Sequence, residues 1–68
     1  MGSVARVTEI SSRSEQSFED AVRAGIDRAN KTLRNVKSAW IKEQRVDVED
    51  GRIVGYQVNL LVTFVLDD

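Results

Sequence analysis

The sequence predicts an α+β protein: one β-α-β-β protomer over residues 1–68, with a three-stranded antiparallel sheet wrapped on a single helix. Three observations predict it. Apolar and small residues recur every three or four positions from Phe18 to Leu33, Asp50-Gly51 separates two long strand-like runs, and a short β-branched run precedes the helix.

The first element is "VARVTEI" (4–10), whose β-branched residues favour a strand; the polar "SSRSEQS" that follows reads as a loop. Ser17 then opens the helix. Its hydroxyl can cap the free amides of the first turn, and Glu19 and Asp20 place negative charge at the positive end of the helix dipole. Phe18, Ala21, Val22, Gly25, Ile26, Ala29 and Leu33 form one continuous stripe, while Glu19, Arg23, Asp27, Lys31 and Arg34 form the opposite, charged face. Glu19–Arg23 and Asp27–Lys31 have the favourable i, i+4 spacing. Gly25 costs about 1 kcal/mol relative to Ala in mid-helix, which points to a close approach of the helix to the sheet. The helix is expected to end near Asn35.

"VKSAWIKEQRVDV" (36–48) and "RIVGYQVNLLVTFVL" (52–66) flank Asp50-Gly51, a type I′ hairpin signal because both central residues need positive φ. With those two as the loop, Glu49 faces Arg52, Ser38 faces Thr63, Trp40 faces Leu61 and Gln44 faces Gln57; a bulge would shift this register. Val54, Tyr56, Val58, Leu60, Val62, Phe64 and Leu66 form an apolar row for the helix to cover, joined by Ala39 and Ile41. Gln57, Asn59, Leu61, Thr63 and Val65 form the other face, with Ser38, Trp40, Lys42 and Gln44. The single tryptophan thus points away from the helix. A fifteen-residue strand reaches roughly 50 Å and a five-turn helix covers about half of that, so the uncovered sheet is expected to be buried in an oligomer.

Composition narrows function by exclusion. At 68 residues the core is marginal, burying about 60% of the unfolded surface. There is no cysteine and no histidine, which removes disulfides, thiolate or imidazole zinc sites and Cys or His nucleophiles, and leaves oligomerisation as the stabiliser. A net charge of −1 argues against a nucleic-acid binder. No apolar run suggests a signal peptide or a spanning helix, so the chain reads as a soluble, cytoplasmic protein without a membrane partner. Asp47, Glu49 and Asp50 near the hairpin tip, and Asp67–Asp68, lack calcium-loop spacing and read as solvated acids; Glu43 on the second strand is a weaker metal candidate, raised only by the family resemblance that follows. No metal ligand set and no nucleophile–base pair emerges, so no catalytic residue is assigned and an enzyme is not expected.

Strand, helix and long hairpin in this order resemble the dodecin family. The resemblance is carried by "RVTEISSRSEQSFEDAV", "RANKTLRNV" and "YQVNLLVTFVL" and covers essentially the whole chain. It implies a hollow dodecamer, a homo-oligomeric shell that stores flavin (riboflavin or FMN) in pairs. In flavin-binding members an aromatic near the start of the second strand stacks on the isoalloxazine ring, and a Gln in the third strand hydrogen-bonds the ring's polar edge. Gln57 matches that glutamine. The aromatic position falls on Ser38, and Trp40 stands two residues later, so the chain resembles a branch lacking the usual stacking Trp, some of whose members are associated with cations. The candidate ligand-binding residues are Ser38, Trp40, Gln44, Arg45 and Gln57. Two functions follow: a flavin-sequestering storage shell, or a non-flavin structural or cation-associated shell in which Trp40 is an interface residue.

Overall fold

A computed structural model of the chain describes residues 2–66; Asp67 and Asp68 lie outside the described residues. The elements are β1 (Ala5–Ser14), α1 (Phe18–Thr32), β2 (Val36–Glu49) and β3 (Arg52–Val65). They form one antiparallel sheet in the order β1-β3-β2, with α1 on one side. The β-α-β-β order and the three-stranded antiparallel sheet are those the sequence predicts.

β1 is longer than predicted. It pairs with β3 from Ala5↔Val65 to Ser14↔Tyr56, so most of the expected loop is strand. Alternation explains it: Ile10, Ser12 and Ser14 turn towards the helix while Ser11 and Arg13 face away. The strand ends on Ser14, whose buried hydroxyl donates to Asp20 Oδ2 at 2.7 Å and accepts from the Gln16 amide at 2.9 Å. Ser17 caps the helix as predicted, its Oγ accepting from the Asp20 amide at 3.0 Å. The helix ends at Thr32, earlier than expected, and Leu33 takes the cap position with an extended backbone. Asn35 then turns the chain with φ of 62°, and its carbonyl accepts from the Val65 amide, delivering β2 to β3.

The core lies where α1 crosses β3. Ala21, Ala29, Val58, Leu60 and Val62 are buried, and Ile10, Phe18, Val22, Ile26, Leu33 and Val36 pack around them. Gly25 has the close approach its position suggests. A Cβ there would stand 2.9 Å from Leu60 Cδ1 and 3.2 Å from Ser12 Cβ, so the helix lies directly on the sheet. Phe18 closes the core's end against Tyr56, edge to face with centroids 5.1 Å apart.

The hairpin turns at Asp50 (φ 52°) and Gly51 (φ 75°), as predicted. Its register holds only in part. Ser38↔Thr63, Trp40↔Leu61 and Glu49↔Arg52 are found as expected, whereas Glu43, Gln44, Arg45 and Asp47 pair with Asn59, Val58, Gln57 and Gly55. Lys42 is an extra residue on β2 and Val54 an extra residue on β3, so the first bulge shifts the ladder by one and the second restores it. A further irregularity lies at Lys37. The molecule is 53 Å long, while a fifteen-residue helix covers about 22 Å. α1 packs mainly over β1 and β3, and Ile41, Val46, Val48 and Ile53 of the hairpin remain exposed.

Three substitutions at two glycines test this packing and the turn. Gly25→Val should lower stability by about 1–3 kcal/mol through overpacking against Leu60 and Ser12, read as a fall in melting temperature. Gly51→Val should cost about 1–3 kcal/mol by forcing a β-branched residue to positive φ, while Gly51→Asn should melt close to the parent.

Candidate ligand-binding site

β3 lies in the middle of the sheet, and its alternate residues point to opposite faces. Val58, Leu60 and Val62 are buried under α1. Gln57, Asn59, Leu61 and Thr63 point to the face that, among the described residues, no element covers. Their cross-strand partners bring Val7, Glu9, Ser11 and Arg13 from β1 and Ser38, Trp40, Glu43 and Arg45 from β2 to the same face.

One half of this face is apolar around Trp40. The indole stands opposite Leu61 and is 61% exposed, a large apolar surface to leave in water. Ser38 stands opposite Thr63, whose Oγ1 is buried without a hydrogen-bond partner. Lys42, the bulge residue, reaches across β3 to Glu9, with Nζ 3.2 Å from Oε1 and 3.4 Å from Oε2. This ion pair borders the Trp40 row.

The other half is a connected polar network. Arg45 Nη2 donates to Gln57 Oε1 at 2.9 Å, and Gln57 Nε2 donates to Ser11 Oγ at 2.8 Å. Arg45 Nε lies 3.7 Å from Asp47 Oδ1, and Arg13 Nε donates to Asp47 Oδ2 at 2.9 Å. Arg13 also donates from Nη2 to the Val54 carbonyl at 3.4 Å. It lies across Gly55, where a Cβ would fall on the guanidinium, so only glycine leaves room for it. Asn59 Nδ2 donates to Glu43 Oε1 at 3.3 Å beside the network. Glu43, Gln44, Arg45, Gln57 and Asn59 line a shallow hollow of about 180 Å³. Among the described residues no group of three or more carboxylates forms a metal site, and no described helix is long and apolar enough to cross a membrane.

The structure therefore places Ser38, Trp40, Arg45 and Gln57 on the open face. Gln44 is the correction. It was expected opposite Gln57, but the Lys42 bulge moves it opposite Val58, and Arg45 takes its place against Gln57. Gln44 still borders the hollow. Trp40 and Gln57 are brought to one face without forming one pocket: their rows are four residues apart on β3, roughly 13 Å. Arg13, Asp47 and Ser11 were missed as members of the network. Ser11 and Arg13 fell in a stretch read as loop, and the bulges hid the row to which Asp47 belongs. Gly55 inside a strand was the available signal, since such a glycine often marks a close approach.

The sequence and the fold both have known counterparts. The dodecin family model matches residues 4–67. A dodecin from Thermus thermophilus is 37% identical over 68 residues, covering 100% of this chain and 99% of that protein. The dodecin structure from Streptomyces davaonensis superposes with a TM-score of 0.92 at 37% identity, covering 100% of both chains. A calcium dodecin from Mycobacterium tuberculosis, described as calcium-chelating, superposes with a TM-score of 0.81 at 30% identity, covering 96% of this chain and 93% of that one. With the match running almost from end to end in sequence and in fold, the chain belongs to the dodecin family.

Proposed function

We propose that this protein stores flavin: copies of the chain assemble into a homo-oligomeric shell, a dodecamer by family likeness, that holds riboflavin or FMN on the open sheet face. The observation that carries the reading is the uncovered face itself, with an exposed indole at one end and an oriented amide at the other. The residues present fit a planar heteroaromatic ligand. Trp40 offers a stacking surface. Gln57 keeps one N–H and one lone pair free after its bonds to Ser11 and Arg45, enough to pair with a polar ring edge. Ser38 is small and leaves the approach to the Trp40 row open. Arg45 and Gln44 border the Gln57 side of the site.

A bound flavin supplies visible absorption and redox capacity, and the role of the chain is to hold it, screen it from solvent and limit its free concentration. Storage rather than catalysis fits a face without a nucleophile–base pair, and we place this role in the cytoplasm. Trp40 and Gln57 are too far apart to grip one ring from a single chain, so the site is completed where two copies meet. The family's aromatic position falls on Ser38, about 7 Å from Trp40 along the same face. An aromatic platform contributes about 1–3 kcal/mol, so moving it lowers flavin affinity by up to about two orders of magnitude relative to relatives that keep it.

The test is a riboflavin titration followed by its fluorescence. The native protein should quench it saturably, Trp40→Ala should weaken binding about fivefold to a hundredfold, and Gln57→Leu about threefold to tenfold. Riboflavin fluorescence that is unchanged at high protein concentration would remove the flavin reading. It would leave a structural shell in which Trp40→Ala impairs assembly.

A further inference from the structure

The polar half of the open face holds more residues than a ligand needs to touch. Arg45 is 68% exposed and long, and an exposed arginine left to itself samples many rotamers. Here it is held. Asp47, two residues along β2, sets Oδ1 near Arg45 Nε, and its other oxygen is taken by Arg13 from the far strand. Arg13 is fixed in turn by the Val54 carbonyl and by the space above Gly55.

The chemistry of the guanidinium gives this chain a direction. Arginine carries only donors, so the Gln57 end that meets Arg45 must be the carbonyl oxygen. The Nε2 end then faces β1, where Ser11 Oγ accepts. Reversing the amide would set N–H against N–H. We infer that Asp47 is a positioning residue that, by holding Arg45, fixes which end of the Gln57 amide faces which strand and so selects planar ligands by the order of donors and acceptors along their edge. The selection rests on the open-face ligand site proposed above; the amide orientation does not. Such exposed ion pairs contribute little to stability, so the effect of Asp47 is on orientation far more than on folding.

The chain has three glutamines, Gln16, Gln44 and Gln57, so selective 15N-glutamine labelling of the ligand-free, full-length protein gives three side-chain amide signals, with Gln57→Glu identifying its own. Asp47→Ala should speed hydrogen exchange at Gln57 Nε2 about threefold to tenfold, approaching the exchange seen in Ser11→Ala. Gly55→Ala, which displaces Arg13 while leaving Asp47 in place, should move the signal in the same direction by less. Lys42→Ala, which breaks the other ion pair of this face, should leave it unchanged. A Gln57 signal that moves in Ser11→Ala but not in Asp47→Ala would overturn the inference. In the ligand arm, native protein should prefer riboflavin over N3-methylriboflavin by about tenfold, and Asp47→Ala should narrow that preference to about threefold; an undiminished preference would overturn the selective role. If no variant binds riboflavin, the ligand proposal fails, and the exchange measurement still decides whether Asp47 orients Gln57.

Discussion

A helix of about 22 Å lies on a molecule 53 Å long, and most of what distinguishes this chain follows from that mismatch. α1 buries Val58, Leu60 and Val62 at the centre of β3 and then runs out. Trp40, Ile41, Val48 and Ile53 are left more than half exposed on a small domain that has no disulfide to offset its marginal core. Exposed apolar surface on this scale marks an association surface. The proposed shell supplies what the helix cannot reach, and its contacts between copies are where a ligand site would be completed.

The second constraint is the pair of bulges. Lys42 on β2 and Val54 on β3 each add one residue, and between them the ladder is shifted by one. Only in that shifted segment do Arg45 and Glu43 reach the open face, and Gln44 leaves its predicted place opposite Gln57. Bulges in functional sheets commonly re-aim side chains in this way. The extra Lys42 is also used, reaching over β3 to Glu9 beside the Trp40 row. Thus the apolar and polar halves of the face meet at a bulge.

These features explain what could be read from the amino acids. The helix stripe, the cap at Ser17, the turn at Asp50-Gly51 and the outward side of Trp40 were legible, because each depends on periodicity or on local backbone chemistry. Gly25 was legible too, since a glycine in mid-helix asks for a close neighbour and Leu60 is that neighbour. The course of β1 past Ile10 was not, because "SSRS" has loop composition and becomes strand only by pairing with Asn59, Val58, Gln57 and Tyr56 across the sheet. The bulges were invisible for a related reason: nothing in "IKEQ" marks Lys42 as the residue without a partner. Losing the register meant losing Asp47 from the site, and reading "SSRS" as a loop meant losing Arg13, although Arg45 and Gln57 had been singled out.

The proposed function thus rests first on assembly and only then on flavin. The most direct measurement is the absolute mass of the native protein in solution, by light scattering on a size-exclusion column at micromolar concentration. Coverage of the overhanging hairpin by other copies predicts a particle many times the mass of one 7.6 kDa chain, twelve chains if the shell follows the family likeness. A folded protein eluting with the mass of a single chain would contradict it, because the open face and the end of the hairpin would then be stable in water by themselves.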